Sequence, residues 1–213
     1  MTTPLPSFVP SALCTALSVA LLPAQGQQPF EAERLARLVR TLETEAEADR
    51  HAGVSFVLVH RGVTVAEGAF GSADVASGRP FASDTIVRIF SMSKPITAIA
   101  ALTAVERGEL RLDQPIGDVV PELRELSVFT GGTADAPELA PPARAVTVRM
   151  LLNHTAGFSY DFHRGSPVHE LYRRAELWQA ASSDDFLQRT AKLPLLFQPG
   201  ETWHYSIADD VLG

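Results

Sequence analysis

The stretch Phe90-Ser91-Met92-Ser93-Lys94-Pro95-Ile96-Thr97 decides how this chain is interpreted, because it places a serine and a lysine three residues apart. Small and branched apolar residues alternate over residues 96–105, which predicts a buried helix. Proline fits a helix only in the first turn, so Pro95 predicts that this helix begins near Ser91. Residues three apart share a helical face, so Ser91 and Lys94 can touch.

A serine and a lysine in this arrangement indicate nucleophilic chemistry. A free hydroxyl is a poor nucleophile, but a partly desolvated amine beside it can take its proton. The first turn of a helix also presents free backbone N–H groups to developing negative charge. The parts together predict acyl transfer by a serine hydrolase.

The alternative is a solvated serine and lysine, because S-x-x-K is a loose pattern that a chain of this length has a fair chance of containing. Two features favour chemistry. The chain has sixteen arginines and only two lysines, so Lys94 is not basic filler. The flanking residues 87–90 and 96–100 are apolar enough to bury the pair.

Length, charge and metal-binding residue types limit the other functions. A chain of 213 residues holds one large domain or two small ones, and its net charge of −7 without a basic cluster argues against nucleic acid. Six histidines without H-E-x-x-H spacing and one cysteine signal no metal site, and nothing calls for a cofactor. His163 and His169 flank a Gly-Ser-Pro turn and are predicted to be loop residues rather than ligands.

The first 26 residues are interpreted as a signal peptide, which predicts a periplasmic or secreted protein. Residues 12–22 form an apolar run too short to make a stable membrane span, and residues 23–26 offer small residues for cleavage. Because residues 1–10 carry no Lys or Arg, a disordered leader on a cytoplasmic protein is the alternative.

The pattern of elements predicts the α+β class. A helix over residues 30–52, ended by Gly53, precedes a hairpin of strands 54–60 and 63–66, which the helices at Phe30 and Ser91 would cover. Mostly helices and loops follow. The remaining predicted features are a loop over 130–145, a helix over 148–153 capped by Thr147, a helix over 186–192 capped by residues 183–185, and a helix opening at Asp209.

Three segments in this order resemble the class C β-lactamase-like serine hydrolases, which include penicillin-binding carboxypeptidases and family VIII carboxylesterases. They are Ser91-Met92-Ser93-Lys94-Pro95-Ile96-Thr97, Leu151-Leu152-Asn153-His154-Thr155-Ala156-Gly157 and Gln198-Pro199-Gly200-Glu201-Thr202-Trp203-His204-Tyr205-Ser206. The resemblance covers about residues 30–213. It implies an antiparallel sheet flanked by helices together with a mostly helical region.

The resemblance also implies roles for individual residues. Ser91 matches the acylated nucleophile, Lys94 the amine that keeps its hydroxyl ready, and Tyr205 the general base that returns the proton to the leaving group. A free tyrosine is almost entirely neutral at pH 7, so a nearby ammonium must favour its anion, and Lys94 is the obvious supplier. His154 matches a structural residue that closes a turn. Trp203 is predicted to be core or pocket wall.

The residue two positions after the tyrosine favours esters over β-lactams. Family members that hydrolyse β-lactams well usually carry Asn there, where it contacts the substrate amide, and this chain has Ile207. Loss of an amide contact weakens selection for amide-bearing substrates. The predicted function is therefore a carboxylesterase acting on small-molecule esters, with a β-lactamase or D-Ala-D-Ala carboxypeptidase as the alternative.

The family's third motif comes well after the tyrosine, on a core strand that also supplies an oxyanion N–H group. The resemblance therefore predicts that residues 27–213 are the N-terminal part of the domain, poorly folded and nearly inactive alone. Two further readings stay open: a non-catalytic relative that binds peptidoglycan or acyl compounds, and an inactive fragment. The sequence predicts no oligomeric state.

Overall fold

The computed structural model describes residues 30–48 and 51–213. The chain forms two compact units, of which the first ends at Arg88 and the second runs from Ile89 to Gly213. The predicted signal peptide lies outside the described residues. The helices and strands, in chain order, are α1 Ala32–Glu47, β1 Gly53–His60, β2 Val63–Asp74, β3 Arg79–Pro80, α2 Ser93–Glu106, β4 Val128–Gly132, β5 Pro137–Ala140, α3 Val148–Leu152, α4 Pro167–Arg174, α5 Ser183–Thr190 and α6 Ala208–Leu212.

The first unit is an antiparallel sheet in the order β1-β2-β3, with α1 packed against the β1–β2 hairpin. Arg61 and Gly62, with φ angles of 50° and 78°, form the predicted tight turn of the hairpin. The predicted return strand over 63–66 is too short, because β2 continues to Asp74 and pairs there with the short β3, a strand that was not predicted. The predicted α+β class is confirmed.

The predicted helix over 30–52 is wrong at its C-terminal end, since α1 is followed by its C-cap at Ala48 and Gly53 already belongs to β1. Gly53 is required by packing in the strand rather than by the end of the helix. A Cβ atom at this position would lie 2.5 Å from the Phe81 ring and 2.8 Å from the Ser72 carbonyl oxygen.

The second unit has a core of buried side chains contributed by α3, α4, α6 and the segments between them. Leu195 anchors it from both sides, since its N–H donates to Ser127 and its carbonyl accepts from Phe129. Residues 130–145 were predicted as a loop, and this is wrong over the hairpin that β4 and β5 form there. The buried Val128 and the parallel bridge from Val128 to Leu195 tie the hairpin to the core.

The predicted helix after Ser91 is present, but its predicted burial is wrong. A 3-10 turn, Phe90–Met92, runs into α2, and Pro95 lies in the first turn as expected. Helix α2 packs against α6. It has no buried residue, and Ile96 and Ile99 are 61% and 65% exposed. The apolar side chains of α2 lie on all faces of the helix, so packing against α6 on one face leaves the side chains on the other faces exposed.

Serine and threonine caps set the remaining helix starts. Thr147 caps α3 as predicted, by accepting from the Met150 N–H. The cap of α5 is Ser182 rather than residues 183–185, because the Ser182 side chain accepts from the Asp185 N–H. Helix α6 begins at Ala208, one residue before the predicted opening at Asp209. Nowhere in residues 30–48 and 51–213 is a helix both long and apolar enough to cross a membrane.

Helix α4 was not predicted, and the placement of His169 in a loop is wrong. Ser166 caps this helix by accepting from the Val168 N–H, and Pro167 occupies its first position. The Gly-Ser-Pro motif that looked like a turn is therefore a helix start. His169 consequently faces the core and is buried.

Candidate active site

The hydroxyl groups of Ser91 and Tyr205, 114 positions apart in the sequence, meet in the second unit. Tyr205 Oη donates to Ser91 Oγ over 2.6 Å. Ser91 lies in the exposed 3-10 turn before α2, and Tyr205 lies in the segment before α6. The packing of α2 against α6 brings the two segments together. A proton can pass between these oxygens without moving either backbone.

Lys94 is the cation of this group. Its Nζ atom lies 5.1 Å from the centroid of the Tyr205 ring and 5.5 Å from that of Tyr160, within the range of cation–π attraction. Partial burial opposes the charge of Lys94, but hydrogen bonding to Tyr160 and Tyr205 and the attraction of Asp210 outweigh it and raise the pKa of Lys94. Lys94 is therefore an ammonium at neutral pH.

Tyr160 and Asp210 adjoin Lys94, and neither was predicted from the sequence to be a site residue. Tyr160 is buried, and its Oη donates to Asp210 Oδ2 over 2.9 Å. Burial, together with the charge of Asp210, raises the pKa of Tyr160, so this phenol keeps its proton. One signal was available: Asp210 stands five residues after Tyr205, at the start of a predicted helix. Nothing in the sequence pairs it with Tyr160.

Two histidines fix the backbone around Tyr205. The His154 carbonyl accepts from the His204 N–H over 2.9 Å, and His154 Nδ1 accepts from the Ser206 N–H over 3.3 Å. His163 Nε2 bonds the Tyr205 carbonyl oxygen over 2.9 Å. The backbone is thus held before, at and after Tyr205, which sets the direction of its side chain.

His154 is itself locked by a buried acid, in line with the structural role implied by the resemblance. It has a positive φ of 56°, and its Nε2 lies 3.0 Å from Asp209 Oδ2. Burial lowers the pKa of His154 and raises that of Asp209, while their mutual attraction works in the opposite direction for each. Gly157 completes the turn with φ 95°, where a Cβ atom would lie 2.7 Å from the Phe197 carbonyl oxygen.

Three histidine rings form a cluster behind this segment. The His163 and His204 centroids are 4.4 Å apart, and the His169 and His204 rings stack at 5.8 Å. Burial, and then repulsion from His163, His169 and His154, lowers the pKa of His204 to about 4. In the described part of the chain no group of three or more His, Cys, Asp or Glu residues could hold a metal ion.

Trp203 and Ile207, on either side of Tyr205 in the sequence, differ in burial. Trp203 is 63% exposed, so its predicted place in the core is wrong, and a role as pocket wall stays a prediction. Ile207 is fully buried in the core of the second unit. Its side chain is therefore enclosed by the core, and it offers no polar group beside Tyr205.

A cavity of about 520 Å³ lies along α6. Apolar side chains of Leu177, Trp178 and Phe186 line it together with Asp210. Neither Ser91 nor Tyr205 is among its lining residues. Asp210 lines the cavity and also accepts the hydrogen bond of Tyr160. The size of the cavity falls within the range of about 300–1,000 Å³ that is usual for small-molecule pockets.

Comparison with known proteins gives relatives that are named as esterases. The chain is 36% identical over 184 residues to esterase EstB of Burkholderia gladioli, covering 84% of this chain and 43% of EstB. It is 36% identical over 148 residues to the lovastatin esterase of Penicillium rubens, covering 68% of this chain and 37% of that protein.

A solved structure shows the same fold. EstCE1, described as a hydrolase with promiscuous acyltransferase activity, superposes with a TM-score of 0.70 at 28% identity, covering 84% of this chain and 45% of EstCE1. The chain spans less than half the length of each of these three proteins. The sequence model of the Beta-lactamase family matches residues 36–213, and the chain belongs to that family.

Proposed function

We propose that this protein is a serine hydrolase that cleaves carboxylic esters through an acyl-enzyme on Ser91. The observation that carries the proposal is the 2.6 Å hydrogen bond between Tyr205 Oη and Ser91 Oγ, with the Lys94 ammonium over the Tyr205 ring. A nucleophile in direct contact with a base that is oriented by a third group is typical of covalent catalysis. The esterase names of two relatives support the substrate class.

The proposed reaction passes one proton through Tyr205 in each half: from Ser91 to the departing alcohol during acylation, and from water back to Ser91 during deacylation. Lys94 favours the phenolate of Tyr205, which takes the proton of Ser91 as Oγ attacks the ester carbonyl carbon. The bond from that carbon to the alcohol oxygen then breaks, and Tyr205 gives the proton to the departing alkoxide. Water attacks the acyl group, passes a proton to Tyr205, and Ser91 leaves with that proton as the acid is released.

Ile207 supports esters over β-lactams in this proposal. Its apolar and fully buried side chain supplies no amide contact to a substrate. A site without that contact has less reason to prefer an amide-bearing ring over a simple ester. Turnover of short p-nitrophenyl esters should therefore exceed turnover of a chromogenic cephalosporin by the same preparation.

The first test is covalent labelling with a fluorophosphonate, measured by intact-mass spectrometry. We expect one adduct on the unaltered protein and none on Ser91→Ala. Ser93→Ala is the matched control, because it removes an exposed hydroxyl two residues away and should keep the adduct. An adduct that survives in Ser91→Ala, or no adduct on any of the three proteins, would overturn the proposal.

A further inference from the structure

A second tyrosine lies against the lysine of the candidate site. The Lys94 ammonium stands 5.5 Å from the centroid of the Tyr160 ring, and the Tyr160 and Tyr205 ring centroids are 5.4 Å apart. We propose that Tyr160, held by Asp210, is a positioning residue that fixes Lys94 as a permanent cation beside Tyr205. This inference rests on the proposed function and assigns separate roles within it: Tyr205 transfers the proton, and Tyr160 holds the cation in place.

Tyr160 is rigid enough to position a neighbour. Its ring stacks on Phe162 at a centroid distance of 4.7 Å and on Trp178 at 6.0 Å. Only 5% of its surface is exposed. Stacked and buried rings have little freedom to change rotamer, so the hydroxyl of Tyr160 stays in one place while a substrate enters or leaves.

The bond from Tyr160 to Asp210 determines what Tyr160 can do for Lys94. A phenol has one proton, and Tyr160 commits it to Asp210 Oδ2 over 2.9 Å. The Tyr160 oxygen then has only lone pairs left, so it can accept from an ammonium N–H but cannot donate to a neutral amine. The lone pairs of the Tyr160 oxygen and the negative charge of Asp210 behind it both favour the ammonium form of Lys94 over the neutral amine.

The electrostatics of the three groups agree with this direction. Burial disfavours a charged Lys94, yet hydrogen bonding to the two tyrosines and the attraction of Asp210 raise its pKa. Burial and Asp210 raise the pKa of Tyr160 as well. Neither Lys94 nor Tyr160 is suited to take a proton from Ser91 near neutral pH, which leaves that task to Tyr205.

The small number of lysines allows a direct test that does not depend on activity. The chain contains only Lys94 and Lys192, so ¹³C-labelled lysine gives two ε-carbon signals, and Lys192→Arg identifies that of Lys94. We expect Lys94 to stay protonated to higher pH in the unaltered protein than in Tyr160→Phe, which keeps the ring and removes the hydroxyl. The expected difference is about one pH unit or more.

Two further variants separate this effect from a general loss of packing. Tyr172→Phe removes the hydroxyl of another buried tyrosine of the same unit and should leave the Lys94 titration unchanged. Asp210→Asn alters an exposed side chain, keeps an oxygen that can accept from Tyr160, and should lower the Lys94 midpoint by removing the charge. Equal Lys94 midpoints in the unaltered protein, Tyr160→Phe and Asp210→Asn would overturn the inference.

Steady-state kinetics give the second readout. Tyr160→Phe should lower kcat for a p-nitrophenyl ester about 10- to 100-fold, the usual effect of losing a hydrogen bond to a charged group, with little change in KM. The alkaline limb of its pH–rate profile should move to lower pH, and that of Tyr172→Phe should not. An unaltered protein that takes no fluorophosphonate would overturn the proposed function. A Tyr160→Phe profile that matches the unaltered one would overturn this inference alone.

Discussion

At the scale of single residues, Ile207 shows how one position couples specificity to stability. By its resemblance to the family, this is the position at which relatives that hydrolyse β-lactams well usually carry an amide that contacts substrate. In the structure its side chain is fully buried in the core of the second unit. A polar residue there would have to be accommodated by the core before it could reach a substrate.

Replacing Ile207 with Asn should therefore cost stability without creating a β-lactamase. Losing the buried apolar side chain and burying an amide without a partner should lower the free energy of unfolding by about 3 kcal/mol or more, as measured by urea denaturation. Ile207→Val is the control and should cost only about 0.5–1.5 kcal/mol. Unchanged stability together with new cephalosporin turnover would show that the position faces the substrate.

The three site residues named from the sequence illustrate how far residue-level prediction reaches. Ser91, Lys94 and Tyr205 could be proposed from the sequence because their local motifs are short and ordered along the chain. In the structure Tyr205 bonds Ser91, and the Lys94 ammonium lies over the Tyr205 ring. Tyr160 and Asp210 were missed because their hydrogen bond joins positions 50 residues apart and follows no local pattern. Contacts of that kind depend on tertiary packing, which spacing along the chain does not encode.

At the scale of elements, the histidine cluster behind the segment that carries Tyr205 makes the stability of the fold depend on pH. His204 faces His163 and His169, with His154 close enough to add repulsion, and Arg164 and Arg173 act on His169. Burial is the main reason that the pKa values of His169 and His204 are lowered on folding. The unfolded chain therefore binds protons more readily than the folded one.

Acid should weaken the fold over a definite range. A histidine whose pKa is lowered on folding contributes stability above its unfolded value near 6.5, and this stability is lost as the pH falls towards about 4. We expect the free energy of unfolding, measured by urea denaturation, to decline across this range. His204→Gln should flatten the decline, whereas His60→Gln, in the first unit, should not. A decline of the same steepness in His204→Gln would contradict this explanation.

Among the helices with a side-chain cap, only the start of α3 was predicted correctly, because the cap of α4 at Ser166 was missed and that of α5 is Ser182 rather than residues 183–185. Thr147 predicted the start of α3, because its side-chain oxygen accepts a hydrogen bond from the Met150 N–H within one turn. The hairpin of β4 and β5 was missed since its glycines and prolines are typical of loops, while its pairing depends on Val128 reaching Leu195. The exposure of α2 was also unpredictable, because an evenly apolar helix does not reveal which side is covered.

At the scale of the whole molecule, the balance of charge predicts the kind of partner. The chain has eighteen lysines and arginines and twenty-five aspartates and glutamates, which gives a net charge of −7. Polyanions bind proteins by exchanging counterions for lysine and arginine contacts. Fluorescence anisotropy with a labelled DNA duplex should therefore show no binding at about 0.15 M salt, where the Debye length is about 8 Å. Binding that weakens steeply as salt is added would reveal a basic surface that the net charge conceals.

At this scale, the stability of the second unit depends on contacts that join separate segments of its core, and Leu195 makes several of them. Its side chain is fully buried, and its backbone bonds both Ser127 and Phe129. Leu195→Ala should lower the free energy of unfolding by about 2–5 kcal/mol, because the surrounding segments collapse only partly into the space. Leu139→Ala, in β5 and 48% exposed, makes the same chemical change at the surface and should cost far less. Equal shifts in urea denaturation would mean that the buried segment around Leu195 is not where the second unit is held together.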